Sequence, residues 1–324
     1  MPSAFWISLA LVFAMGAAIQ RGNTCTVVVF DDLIHRRSPQ RLQAVVFCWM
    51  LVAGGLAALT LTTGFQPAAN LFAVTGWSVA GGLLLGVGAV TNGACTTGTI
   101  ARIGSGEYVF LLTIAGFFLG CVLAPHLLGR AATTHTATEP VTTSVDFPVP
   151  ALLGLAFVVV VTFRRLVAGD HESLREFLRN SWDPRTAMLV VAVLFVALVH
   201  ISGAWAYTDL LGDIAREGLT ETSAPRLAFL AALLGGAVVA GRSLRGSKPI
   251  GPLSPKVLRC GAGGVVMGAG FSVAPGAFDG LTLLAQPLML PFAWVVMSAC
   301  YVAITVGILY LRSGFAVWIK TRRG

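Results

Sequence analysis

Six cysteines, at 25, 48, 95, 121, 260 and 300, are the residues best suited to chemistry in this 324-residue chain. They form neither a short secreted framework nor a CxxC or histidine-spaced pattern, so the sequence predicts no disulfide and no metal site. A cysteine in an apolar segment is ordinarily a small, inert packing residue, and Cys48, Cys121 and Cys260 are read that way. Cys25 and Cys95 differ, because each follows a glycine-containing interruption, Gly22-Asn23-Thr24 in one case and Thr91-Asn92-Gly93 in the other, and opens a short helical stretch. Unpaired N–H groups at a helix start attract anions. A thiol is a weak donor and a polarisable acceptor, so it can handle a sulfur-bearing anion without trapping it as an arginine would, and weak repeated contacts are what conduction requires. The competing chemistry is a nucleophilic or sulfur-carrying cysteine in a membrane enzyme; it wants a base near the thiol, and neither Cys95 nor Cys300 has a histidine or carboxylate within several residues.

Around these thiols stand polar residues with two readings each. Asn92, Thr96 and Thr97 either donate to oxyanion oxygens or satisfy a broken backbone. Asp279 is either a functional ionisable group at membrane depth or a helix cap. Arg102 either draws an anion through or marks a membrane boundary, and His200 either titrates or packs. Met267, Met289 and Met297 read as core fillers. No nucleotide-binding loop is present, and no cofactor is expected.

The element that must position Cys95 is the stretch from Gly81 to Gly106, GGLLLGVGAVTNGACTTGTIARIGSG. It begins as the end of an apolar run, breaks at Thr91, Asn92 and Gly93, and restarts with Cys95 in the first turn of a new helical stretch. Breaks of this kind survive in a membrane only where they are buried in protein or line a cavity. A second break is predicted at Ala274-Pro275-Gly276. A third follows the first apolar run at Gly22 to Cys25, and the run Cys25 to Leu33 is either a short helix dipping back toward the membrane or a surface helix.

A chain with 56% hydrophobic and 11% charged residues cannot build a soluble surface, so the fold class is an all-α integral membrane protein in the lipid bilayer. Nine stretches are long enough to cross: Ser3 to Gln20, Leu42 to Thr63, Leu71 to Val90, Tyr108 to Leu128, Pro150 to Val167, Ala187 to Tyr207, Ala224 to Gly241, Val257 to Ala274, and Leu288 to Leu311. The first lacks a basic leader and is read as a span. Alternating the loops puts 19 of the 22 Lys and Arg residues on one side, leaving Arg130, Arg216 and Arg226 opposite. The positive-inside rule then predicts an external N-terminus and a cytoplasmic C-terminus. The net charge of +8 is thus topological, and no nucleic-acid partner is implied.

Sliding the chain by 182 residues lays Gly81, Gly82, Gly86, Gly88 and Gly98 on Gly263, Gly264, Gly268, Gly270 and Gly280. The same shift lays spans two to four on spans seven to nine and leaves span five over. The expected organisation is one membrane domain: a first half over 1–130, a loop, linker span and cytoplasmic loop over 131–186, and an inverted second half over 187–324. Inverted repeats with matching broken helices place transporter sites near the midplane.

Arg21-Gly22-Asn23-Thr24-Cys25 with Asp32-Leu33, Gly-Ala-Cys-Thr-Thr-Gly within Gly81 to Gly106, and Met267-Gly268-Ala269-Gly270 followed by Pro275-Gly276-Ala277-Phe278-Asp279 carry a resemblance. With these motifs the chain resembles the YeeE/YedE family of bacterial membrane proteins, whose characterised transporters carry thiosulfate. The resemblance implies a path lined by three thiols, here Cys25, Cys95 and Cys300, the last by its position in the final span; the residues alone would rank Cys300 with the packing cysteines. It further implies the bacterial cytoplasmic (inner) membrane, a small sulfur-containing anion as substrate, and a cytoplasmic TusA-like sulfur carrier or rhodanese-type partner. Members linked to selenium metabolism keep a selenium species open as cargo. Gly22, Asn92, Gly93, Thr96, Thr97, Gly98, Pro275, Gly276 and Asp279 are the supporting pathway or hinge residues.

Overall fold

The computed structural model describes residues 2–65, 71–129, 137–138, 148–167, 180–244, 254–274 and 276–322. Pro275 and most of the predicted 129–148 loop lie outside the described residues, as does nearly all of the loop before Asp183.

The chain is helical. In order the helices are α1 (Pro2–Gly22), α2 (Thr26–Asp31, continued by a π turn Asp32–Arg36), α3 (Gln40–Thr63), α4 (Gly76–Asn92), α5 (Thr96–Gly104), α6 (Leu111–Leu128), α7 (Pro148–Val167), α8 (Pro184–Ser202), α9 (Tyr207–Glu217), α10 (Ser223–Leu244), α11 (Ser254–Val273), α12 (Phe278–Gly280, continued by a π turn Leu281–Ala285) and α13 (Pro291–Arg322). Among the described residues the only strands are a two-residue antiparallel pair, Leu71–Phe72 with Ala137–Thr138.

Seven of these stretches are long and apolar enough to cross a membrane, and α11 with the α12 segment makes an eighth if the pair, bent by 59°, is one span. The remaining predicted crossing, span five, corresponds to α7, whose apolar part Ala151–Thr162 is shorter. Three expected boundaries move. The third span starts at Gly76 instead of Leu71, where Thr75 forms a capping box with Ser78. The sixth ends at Ser202 instead of Tyr207, because Gly203 takes a left-handed φ of 85° and Tyr207 opens the separate helix α9. The last begins at Pro291, a residue suited to the first helical turn. With α8 ending early, His200 is exposed near a helix end, stacked edge-on against Phe65 at 5.3 Å, and not deep in a span. Met289 is likewise no core filler: it is 63% exposed, at a left-handed φ of 56°, in the turn before α13.

Packing depends on small residues, as it must where water exclusion gives helices no reason to associate. A Cβ on Gly16 would overlap the Leu233 carbonyl, and one on Gly236 would overlap the Phe13 carbonyl, so α1 and α10 touch backbone to backbone. The contacts come in matched sets. Helix α1 packs on α10 as α8 packs on α3, α6 on α11 as α13 on α4, and α2 touches α13 as α9 touches α6. Counterpart helices of the two sets start about 182 positions apart, as with Pro2 and Pro184, Gln40 and Ser223, or Thr26 and Tyr207. Helices α2, α5, α9 and α12 are the short ones, and they hold the residues discussed next.

Candidate functional site

The loop from α1 to α2 is shaped by backbone demands. Gly22 lies so close to α8 that a Cβ there would overlap the Ala187 methyl, and Asn23 takes φ 46°. Arg41 of α3 holds the loop: its Nη1 donates to the carbonyls of Gly22 at 3.1 Å and Asn23 at 2.9 Å, while its Nε donates to the buried Asp32 at 2.7 Å. Cys25 then caps α2 in an extended conformation and is 3% exposed. Helix α2 buries Val29 and stacks Phe30 on Tyr301 of α13, ring centroids 5.0 Å apart.

The second thiol is positioned by the break after α4. Gly93, at φ 79°, closes that helix by donating its N–H to Ala89 and Val90. Asn92 is fully engaged: its amide donates to the Ala94 carbonyl at 2.7 Å and to Thr99, and its oxygen accepts from Thr113 at 2.7 Å. It organises the break and has nothing left for an ion. Cys95 is the N-cap of α5, its sulfur accepting the Gly98 N–H at 3.3 Å.

The two caps meet. The Cys95 N–H donates to Cys25 Sγ at 3.4 Å, and the Thr26 N–H donates to Cys95 Sγ at 3.3 Å, so each sulfur satisfies a backbone donor beside the other. Gly98 makes this possible, because a Cβ there would overlap Cys25 Sγ.

The matching ends in the second half carry no thiol. Gly276, at φ 99°, leads into α12. Asp279, 8% exposed, accepts from both the backbone N–H (3.3 Å) and the hydroxyl of Thr208. It is a cap, but of α9 and not of its own helix. Thr96 joins the two assemblies: its hydroxyl lies 3.5 Å from Asp279, and its carbonyl accepts from the Tyr207 hydroxyl at 2.9 Å. The starts of four short helices therefore gather around Cys25, Cys95, Thr96 and Asp279. Helix starts turn their unpaired N–H groups toward whatever lies between them, which favours negative charge.

Beside the thiol pair opens a cleft. Arg41 and Pro184, at the starts of α3 and α8, line it together with Thr24, Cys25, Thr97 and Thr282, while Cys95 lies buried behind Cys25 and is not part of its lining. Its chemistry is a thiol, threonine hydroxyls and one guanidinium at the mouth, over apolar walls. That suits a small anion that must move on. Among the described residues no group of His, Cys, Asp and Glu could hold a metal ion.

The other expected residues lie apart. Cys300, fully buried in α13, has its carbonyl against Gly86 of α4, and its neighbour Tyr301 packs on Phe30 of α2. Arg102 is paired with Glu107 at 2.9 Å and lies over the Phe110 ring. Cys48 is buried, and Cys121 lies 3.5 Å from the Gly268 carbonyl. Sequence reasoning missed Arg41, Thr24, Thr208 and Thr282. Arg41 was counted only as a topological charge, and Thr208 is the 182-residue counterpart of Thr26, a signal that was available.

A family model described as sulphur transport matches residues 21–306 of the chain. Among curated proteins, the chain is similar to the thiosulfate transporter TsuA of Escherichia coli (strain K12), with 26% identity over 311 residues and 87% of each chain covered.

Proposed function

The chain belongs to the sulphur transport family, and from that premise we propose that it takes up thiosulfate into the cytoplasm past Cys95 and Cys25. It is a multi-pass membrane transporter and not an enzyme. The substrate is carried over from the similar TsuA, a thiosulfate transporter. Direction rests on charge: with the Arg-rich loops cytoplasmic, the N-terminus is external and the cleft at Arg41 faces inward. The matched contact sets support two inverted halves, 1–130 and 187–324, around a linker containing α7.

The observation that carries the reading is the reciprocal capping of Cys25 and Cys95. Each sulfur is oriented by an N–H it accepts, so the S–H proton is what the pair can offer a passing anion. Thiosulfate ends in a soft, charged sulfur that a weak S–H donor can hold and release. Cys300, on the helix that flanks α2, is the third station in the family pattern, reached before or after the pair. A cytoplasmic TusA-like sulfur carrier or rhodanese-type protein would consume the ion at the inner mouth.

Purified protein in liposomes tests the reading. Labelled thiosulfate should enter and be recovered intact, and sulfate should not enter. Failure of thiosulfate to enter, or recovery of label on the protein as persulfide, would refute it.

A further inference from the structure

We infer that the hydroxyls of Thr24 and Thr282 form an oxyanion subsite beside the thiol pair, taking the oxygens of thiosulfate while Cys25 takes its terminal sulfur. The inference rests on the thiosulfate reading above and deepens it.

Two independent observations carry it. The first is position. Thr24, from the loop after α1, and Thr282, from the π turn after α12, line the same cleft as Cys25 although they come from opposite halves of the sequence. The second is that both hydroxyl oxygens are sealed from solvent and have no hydrogen-bond partner among the described residues. Several other threonines among the described residues are satisfied. Thr60, Thr91, Thr99 and Thr305 donate to carbonyls one turn back, and Thr113 donates to Asn92. A buried hydroxyl without a partner is costly, and valine would fill either position at the same volume. Hydroxyls kept orphaned on the wall of a cleft are explained when the partner arrives with the ligand. Threonine has alternative staggered χ1 rotamers, through which a hydroxyl can reorient when a ligand arrives.

The chemistry fits a divided ion. Thiosulfate carries one soft sulfur and three hard oxygens on a tetrahedral centre. Thiols, as weak donors, match the sulfur, whereas hydroxyls match the oxygens. Both are neutral, so neither becomes the electrostatic trap that a guanidinium would. Arg41, whose Nε and Nη1 are committed to Asp32, Gly22 and Asn23, adds positive charge only at the mouth.

The test uses the full chain in liposomes and the concentration dependence of labelled thiosulfate uptake for Thr24→Val, Thr282→Val and the corresponding serine variants, with thermal unfolding in detergent alongside. Each valine variant should raise the half-saturating concentration by about tenfold, and each serine variant should stay near the natural protein. Because valine removes an orphaned hydroxyl, the valine variants should unfold at the same temperature or higher, an effect a structural hydroxyl would not give. Valine variants with unchanged half-saturation, or with lowered unfolding temperature, would overturn the subsite while leaving thiosulfate transport standing. Absence of uptake by the natural protein would instead remove the reading on which it rests.

Discussion

Cys25 and Cys95, 70 positions apart in sequence, complete each other's helix ends: the Cys95 N–H reaches Cys25 Sγ, and Cys95 Sγ accepts the N–H next to Cys25. A sulfur is a long, weak acceptor, so a serine oxygen in either place would make a shorter, stronger cap and draw the two helices together. The thiol pair is thus a geometric device as much as a chemical one. Cys25→Ser is expected to keep the protein folded and inserted while lowering thiosulfate uptake severalfold, measured at equal membrane levels.

Gly98 is the clearance that the pair needs. A methyl group in its place would overlap Cys25 Sγ, and overpacking of this kind costs about 1–3 kcal/mol. Gly98→Ala should lower the unfolding temperature in detergent and abolish uptake. Wild-type uptake by this variant would show that the two caps need not touch.

Arg41 fixes the loop that presents Cys25 through two carbonyls and the Asp32 carboxylate. Lysine has the charge but not the planar fork. Arg41→Lys should cost about 1–3 kcal/mol of stability and reduce uptake, although the positive charge at the cleft mouth is preserved. If charge alone mattered, uptake would be unchanged.

Asp279 holds the start of α9 through Thr208. Asp279→Asn keeps an acceptor and should remain close to the natural protein in unfolding temperature. Asp279→Ala strands the buried Thr208 N–H and hydroxyl, at about 1–3 kcal/mol. Equal stability of the two variants would remove Asp279 from the capping role.

Much of this arrangement was legible in the chain because glycine and apolar runs act locally. The all-α membrane class followed from composition, and the interruptions at Gly22 to Cys25 and at Asn92 to Cys95 followed from residues that cannot continue a helix. What stayed hidden depends on distance or on ordinary residue types. Helix α9 escaped because Asp209, Asp213 and Arg216 make it look like a polar loop after a span, and only the short stretch from Gly203 to Ala206 separates it from α8. Asn92 reads two ways in the sequence because Thr113, whose hydroxyl donates to the Asn92 oxygen, lies 21 positions away. Thr24 and Thr282 are common residues, and their lack of a partner exists only in three dimensions.

The central claim is that a particular thiol pair, and not buried sulfur in general, carries thiosulfate. The direct test is uptake of labelled thiosulfate, with sulfate as control, by cells lacking other sulfur-anion uptake and expressing the natural protein, Cys95→Ala or Cys48→Ala at equal membrane levels. Uptake by the natural protein and by Cys48→Ala, with none in Cys95→Ala, is the predicted result. Equal loss in both variants, or uptake that survives Cys95→Ala, would contradict it.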